Sequence, residues 1–384
     1  MDAIPASFKL GFLGAGQLAR MSALEAFKLG IQVVSYGSSH GMEPLNLVTP
    51  FQFTGSFDDE EKLIQFAKSC DLVTLENEFL DSELLKRVRD KSGTPMYPSP
   101  ESFRLIESKL IEKETFSEAG IPVAPFGIVS NKEEMADFGE KHGWPYLLKS
   151  SKGGYDGYGN EIVKNIDEAL NGFDKLGGNA GHDILAEAFI PFDRELAVSV
   201  ARNDKGTVVF PCVETIQINH ICRKVLAPAP IDKDILEKAQ KMAIAATQAI
   251  DGKGVFAFEF FLTKDGQLLL NESAPRPHNS AHYSMEACSL SQFALHVRAV
   301  LDLPLPQPVM TTKAAVMVNI LGTQNRKAVT ENVSGLLKET QGYMHIYGKE
   351  SSKIGRKMGH FTLLGEDVQE LLTIADKAVE KIKL

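Results

Sequence analysis

Two glutamates stand out by their spacing. Val255-Phe256-Ala257-Phe258-Glu259-Phe260-Phe261-Leu262 and Leu268-Leu269-Leu270-Asn271-Glu272 are apolar runs joined by Lys264-Asp265-Gly266-Gln267. A two-residue turn at Asp265-Gly266 pairs Lys264 with Gln267, and counting back along both strands sets Glu259 opposite Glu272 on one face. Like charges so placed, with Cβ atoms about 5 Å apart, destabilise a sheet unless something offsets them. A shared divalent cation does so, and oxygen ligands beside a polyphosphate favour magnesium. The alternative, a solvated acidic pair, sits poorly with the apolar flanks. Strict alternation turns Asn271 to the other face, so a role for it needs a bulge or a strand end.

A second feature precedes this hairpin. Lys149 closes an apolar strand and is followed by Ser150-Ser151-Lys152-Gly153-Gly154-Tyr155-Asp156-Gly157-Tyr158-Gly159-Asn160. So many glycines are entropically costly unless the backbone must close on something. Exposed N–H groups after a lysine suit a cover over polyphosphate, although the spacing is not that of a P-loop. A solvated hairpin tip is the plain alternative.

The third is Gly14-Ala15-Gly16-Gln17-Leu18-Ala19, between a strand and a helix. It fits the phosphate turn of a dinucleotide fold. Such a fold adds an acidic residue at the end of the second strand, and Ile31-Gln32-Val33-Val34-Ser35-Tyr36 ends without one. A tight turn without a ligand is therefore preferred to an NAD site.

These residues need a scaffold. Residues 9–13, 31–36 and 71–76 read as buried strands, with helix patterns at 17–29 and from Asp58, which is repeated β-α-β and implies a parallel sheet. Pro95 to Pro100 marks a boundary, where Ser99 caps a helix expected to run until just before Gly120. Strand signals at 128–129, 146–150, 184–190, 195–202, 207–217 and 255–262, with turns at 203–206 and 264–267, make the middle largely antiparallel. Helices are expected at 132–142, 232–250 and after Glu286. Pro304, Pro306 and Pro308 form a stiff connector, followed by strands at 315–320 and 344–347 and a closing helix after Gly365.

Composition narrows the class. The 384 residues carry 41 basic and 50 acidic side chains, a formal charge of −9, which disfavours general nucleic-acid binding. Four cysteines without a C-x-x-C pair exclude a disulfide scaffold and a thiolate zinc site, and suggest a reducing compartment. No apolar run approaches a membrane span, and the first residues lack a secretory pattern. A soluble cytoplasmic protein is expected.

Assembled in this order, the motifs resemble the ATP-grasp superfamily, and within it the 5-(carboxyamino)imidazole ribonucleotide synthases of purine biosynthesis. The stretches that carry the resemblance are 14–21, 153–160, Ala274-Pro275-Arg276-Pro277-His278-Asn279-Ser280 and 347–360. It implies an α/β and α+β architecture with a parallel-sheet pre-ATP-grasp domain at 1–98. An ATP-grasp domain at 99–308 would follow, with a lid at about 120–190, and then a small C-terminal domain at 309–384. The implied reaction joins ATP, bicarbonate and aminoimidazole ribonucleotide through carboxyphosphate, in a homodimer. By the same resemblance Lys109 and Lys149 contact phosphates under a loop of Gly154, Tyr155, Asp156, Gly157, Tyr158, Gly159 and Asn160. Glu187, Ala188, Phe189 and Ile190 read adenine through the backbone, and Glu195 takes the ribose, with Gln217 nearby. Glu259 and Glu272 hold magnesium, with Asn271 beside them. The ribonucleotide is implied to meet Gln17, Leu18, Glu76, Tyr155, Asp156, Arg194, Asn279 and Ser280, its phosphate clamped by Lys349 and Arg356. Lys149, Tyr155, Asp156, Arg276 and His278 are the candidate catalytic residues. Local charge agrees with the clamp, since Lys349, Lys353, Arg356 and Lys357 concentrate basic groups in an acidic chain. The chain departs from the family pattern at Phe79, Ala188, Gln217 and Ala281-His282-Tyr283, which bears on substrate contacts rather than on reaction class. For His278 and His282 structural and catalytic roles both stay open. A formate-using glycinamide ribonucleotide transformylase and a non-catalytic nucleotide-binding protein are the alternatives.

Overall fold

The computed structural model describes residues 3–38, 41–151, 159–339 and 341–379. The first segment is a parallel sheet ordered Phe51–Thr54, Gln32–Gly37, Lys9–Leu13, Leu72–Leu75, Met96–Tyr97. Its central strands are apolar on both faces, as a sheet covered by helices requires. The expected single helix from Ser99 is instead two, Pro100–Arg104 and Lys109–Glu118. Ser108 caps the second by accepting from the Ile111 N–H at 3.2 Å. That second cap places Lys109 in the first helical turn rather than mid-helix.

A four-stranded antiparallel sheet carries Phe126–Val129, Ile184–Ala188, Tyr146–Ser150 and Asn160–Val163. The largest sheet, of nine strands, contains the hairpin Gly254–Thr263/Leu268–Ala274 at one edge. The single strand expected at 207–217 is split into Gly206–Val209 and Val213–Ile218, because Pro211 supplies no ladder donor. Ile221–Ala227 then pairs with Ala314–Leu321, and Lys357–Gly365 and Tyr343–Ile346 continue this sheet, while Arg326–Lys327 and Ser351–Ser352 pair in a small sheet of two.

Helix Gln292–Val300, capped by Ser291, fastens the parallel sheet to the large one. Val297, Val300 and Leu301 pack with Leu10, Phe12 and Ala19 in one apolar cluster. His296 spans the seam: the Val255 N–H donates to its Nδ1 at 3.1 Å, so Nε2 carries the proton and donates to Thr74 Oγ1 at 2.9 Å. Burial pushes its pKa down to about 4. No helix among the described residues is long and apolar enough to cross a membrane.

Candidate active site

The paired glutamates face each other as expected, but by another route. The turn has three residues, not two. The Thr263 N–H donates to the Gln267 carbonyl at 3.0 Å and the Gly266 N–H to the Thr263 carbonyl at 3.0 Å, with Gly266 at φ +81°. The register therefore starts one residue out, pairing Leu262 with Leu268 and Phe260 with Leu270. A bulge at Asn271 restores it, and Glu259 pairs with Glu272.

The two carboxyls line a cavity of about 320 Å³. Lys109 Nζ lies 3.5 Å from Glu272. Desolvation and the facing Glu272 carboxylate push Glu259 well above its ordinary pKa. Burial opposes ionisation of Glu272 too, but Lys109 and Lys149 hold it low. Glu272 stays open to the cleft, its side chain 48% exposed, so the apolar flanks do not seal the pair from water. Glu195 stands close enough to feel Glu272, and burial with that charge raises it to about 7. Gln217 Nε2 donates to Glu195 at 3.3 Å.

Lys149 is held rather than free. Its Nζ lies 2.8 Å from Glu187 Oε1, and Lys113 Nζ lies 2.7 Å from Glu187 Oε2. Burial opposes the charge on Glu187, yet the two lysines keep its pKa low. Burial lowers the Lys149 pKa, with Lys113 and Lys109 adding to that. Lys113 was not foreseen from the sequence, and it also donates to the bulged Asn271 carbonyl at 3.4 Å. Glu112 was missed as well. It accepts from the Ser273 N–H at 2.6 Å, and burial raises it to about 7. The signal was available, because Lys109 and Lys113 lie one helical turn apart.

A larger cavity of about 1140 Å³ adjoins the first. Gln17, Leu18, Glu76, Asn279, Lys349 and Arg356, all expected at the ribonucleotide, line it together, and so do Lys353 and Lys357. Lys349 donates to the Lys357 carbonyl at 2.8 Å and Arg356 to the Ser351 carbonyl at 2.9 Å, which folds the basic loop inward. The glycine turn already faces a carboxyl group of the chain itself. The Gly16 N–H donates to Glu76 at 3.4 Å, and a Cβ at Gly14 or Gly16 would collide with that carboxylate. The chain's own side chain thus occupies the place where a dinucleotide phosphate would sit. Asn279 is fixed by reciprocal hydrogen bonds with Asn319 at 2.8 and 2.6 Å.

Glu78, Phe79, Arg276, His278 and Lys357 line both cavities and form the wall between them. Arg276 donates to Glu78 at 2.5 Å. The alternation of Glu76 and Glu78 was the signal for that second carboxylate. His278 Nδ1 lies 3.0 Å from Ser280 Oγ and 3.7 Å from Glu259. Burial, then Arg276, pushes its pKa well below the usual value, so the ring is neutral at pH 7. His282 is bound to Gln292 at 2.8 Å and is buried, which fits a structural part.

Other expected residues stand apart. Arg194 is paired with Glu214 at 2.6 Å and lines neither cavity. Ser280 is buried and its N–H contacts the His278 ring, and Lys149, Glu187, Ala188, Phe189, Ile190, Glu195, Gln217 and Asn271 line neither cavity. Gly154, Tyr155, Asp156, Gly157 and Tyr158 lie outside the described residues. Gly159 is bonded through its carbonyl to the Ser150 N–H, and Asn160 pairs with Lys149 in the four-stranded sheet.

Comparison with known proteins adds the following. The ribonucleotide synthetase preATP-grasp domain matches residues 8–107, the ATP-grasp domain residues 114–293, and the phosphoribosylaminoimidazole carboxylase C-terminal domain residues 315–373. A phosphoribosylaminoimidazole carboxylase of Ogataea methanolica is 37% identical over 94% of this chain and 67% of its own length. An N5-carboxyaminoimidazole ribonucleotide synthase of Staphylococcus epidermidis is 36% identical over 94% of this chain and 93% of its own. The chain thus spans about two thirds of the fungal relative and nearly all of the staphylococcal one. Among solved structures, an N5-carboxyaminoimidazole synthase from Aspergillus clavatus, in complex with ADP and 5-aminoimidazole ribonucleotide, superposes with a TM-score of 0.87. It is 35% identical, covering 98% of each chain. An N5-carboxyaminoimidazole ribonucleotide synthetase in complex with ADP gives a TM-score of 0.88 at 33% identity, over 98% of this chain and 97% of that one.

Proposed function

The chain belongs to the N5-carboxyaminoimidazole ribonucleotide synthase family of ATP-dependent ATP-grasp ligases, and from that premise we propose how its two cavities divide the reaction. The product is N5-carboxyaminoimidazole ribonucleotide, an intermediate of purine biosynthesis, made from aminoimidazole ribonucleotide, bicarbonate and ATP. The smaller cavity is the donor chamber for ATP and bicarbonate. The larger is the acceptor chamber for the ribonucleotide. The observation that carries this reading is the shared wall: facing carboxylates and lysines on one side, a basic loop on the other, Arg276 and His278 between them.

Glu259 and Glu272 fit magnesium, because they are hard oxygen donors set face to face, where burial and the neighbouring carboxylate push Glu259 well above its ordinary pKa and a cation would offset the crowding. When bound, magnesium supplies neutralising charge at the polyphosphate. Lys109 and Lys149 supply the rest, and Glu187 and Lys113 set the position of Lys149. A bicarbonate oxygen forms a bond to the γ-phosphorus as the bond to ADP breaks, giving carboxyphosphate. The exocyclic amine then forms a bond to the carboxyl carbon, of carboxyphosphate itself or of CO2 released from it as phosphate leaves, and the amine gives up a proton. His278, held neutral, stands at the wall able to accept that proton. Lys349 and Arg356 anchor the ribonucleotide phosphate and so fix where the amine points. The family resemblance extends the proposal to a homodimer in the cytoplasm.

Release of ADP by the purified protein tests the reading. It should require both aminoimidazole ribonucleotide and bicarbonate for full rate. Equal turnover without the ribonucleotide would reject it.

A further inference from the structure

Outside both chambers, Glu286, His345 and His360 bring one ligand atom each to within 4.8 Å of one another. Glu286 stands on the short helix Ser284–Ala287. His345 and His360 are register partners on antiparallel strands, Tyr343–Ile346 and Lys357–Gly365, and their rings stack at 4.7 Å. His345 Nε2 lies 2.6 Å from Glu286 Oε1. A hydrogen bond on a stacked ring accounts for that contact but not for the remaining atoms. Glu286 Oε2 and His360 Nε2 are both shut off from solvent, and neither has a hydrogen-bond partner among the described residues. His360 is fully buried, and its Nδ1 is engaged at 3.0 Å by the Tyr347 hydroxyl. Its available ring nitrogen is therefore Nε2. A partner that fixes one imidazole nitrogen and leaves the other free is the arrangement that orients a histidine ligand.

We propose that Glu286, His345 and His360 form a binding site for a transition-metal dication of the zinc type, separate from the magnesium-binding carboxylates. Two imidazoles and one carboxylate suit Zn²⁺, whereas Mg²⁺ prefers an all-oxygen set. Three protein ligands leave a fourth position for water. Ligand atoms around zinc sit about 3.3 Å apart, so the 2.6 Å His345–Glu286 contact opens slightly. The place in the chain gives the site a purpose. His345 lies just before the basic loop that carries Lys349 and Arg356, and His360 just after it. His282, which lines the acceptor chamber, packs against His360 at 5.0 Å. A metal here pins the base of the phosphate-clamp loop to the segment that follows Arg276–Ser280. It acts on the shape of the acceptor chamber without touching substrate.

Chelator-treated full-length protein titrated with Co²⁺ and Zn²⁺ tests the site. One equivalent of Co²⁺ should give the visible absorption of a four- or five-coordinate ion, displaced by Zn²⁺, and Zn²⁺ should raise the melting temperature. His345→Ala, at a partly exposed position, should weaken binding about tenfold or more and abolish the band. Glu286→Gln should do the same. Glu272→Gln, in the donor chamber, should leave the band unchanged. Binding no tighter than millimolar would overturn the proposal. So would a wild-type band in folded His345→Ala, or loss of the band in Glu272→Gln instead.

Discussion

The donor and acceptor chambers are built on different plans. In the donor chamber the decisive pair comes from one hairpin, while the helix Lys109–Glu118 and one strand of the four-stranded sheet bring the lysines to it. Register alone holds Glu259 against Glu272, so the geometry is rigid and local. The acceptor chamber is gathered from Gln17, Glu76, Asn279, Lys349 and Arg356, which come from four distant parts of the chain. Its shape depends on how the parallel sheet, the large sheet and the late strands dock. Phosphoryl transfer needs charges fixed to a fraction of an ångström, whereas a ribonucleotide needs a pocket able to close around it. A local plan serves the first and a composite plan the second.

The largest effect expected is on the donor side. Glu272→Gln should lower kcat at least about 100-fold, while the fold survives, because repulsion with Glu259 is relieved. Mg-ATP should raise the melting temperature of the wild type and barely move the variant. Normal turnover with a normal Mg-ATP shift would show that the pair is only a feature of the sheet. Lys349→Ala should act on the other chamber, raising KM for the ribonucleotide about 10- to 100-fold for one lost charge-assisted contact. KM for ATP should stay within about twofold. Equal loss of both would break the division.

Arg276 belongs to neither side alone. Arg276→Met should lower the carboxylated product formed per ADP released by several-fold, since carboxyphosphate is then less well confined. An unchanged ratio would remove Arg276 from the wall's function. The smallest effect concerns the seam that docks the two sheets. His296 has a folded pKa of about 4 against an ordinary 6.5, so only the unfolded chain takes up its proton in between. Its contribution is complete above pH 6.5 and is lost as pH falls towards 4, by roughly 3 kcal/mol. Thermal melts from pH 7 to 4 should show that loss, and His296→Gln should flatten part of it.

How much of this was legible in the sequence follows the same divide. The facing glutamates could be read because a hairpin is a short-range object, although the reading assumed a two-residue turn and no bulge. Those two departures cancel, and only backbone bonding at Thr263 and Asn271 reveals them. The break between Arg104 and Lys109 was obscured by a continuous helical pattern across it. The ion-pair duty of Glu187 was hidden, since Lys113 reaches it only through tertiary packing. The acceptor residues could be named by resemblance alone, because no periodicity links Glu76 to Lys349. Arg194 shows the limit of that route: its position in the chain suggests the substrate, while the structure shows it paired with Glu214 and lining neither cavity.

In the proposed reaction the γ-phosphoryl group passes to bicarbonate in the donor chamber before the carboxyl group crosses the wall. Turnover in ¹⁸O-labelled bicarbonate measures this directly, with the released phosphate analysed by mass spectrometry. One ¹⁸O per phosphate formed is the predicted result, because the bond made to phosphorus keeps a bicarbonate oxygen. Unlabelled phosphate alongside normal formation of the carboxylated ribonucleotide would contradict it.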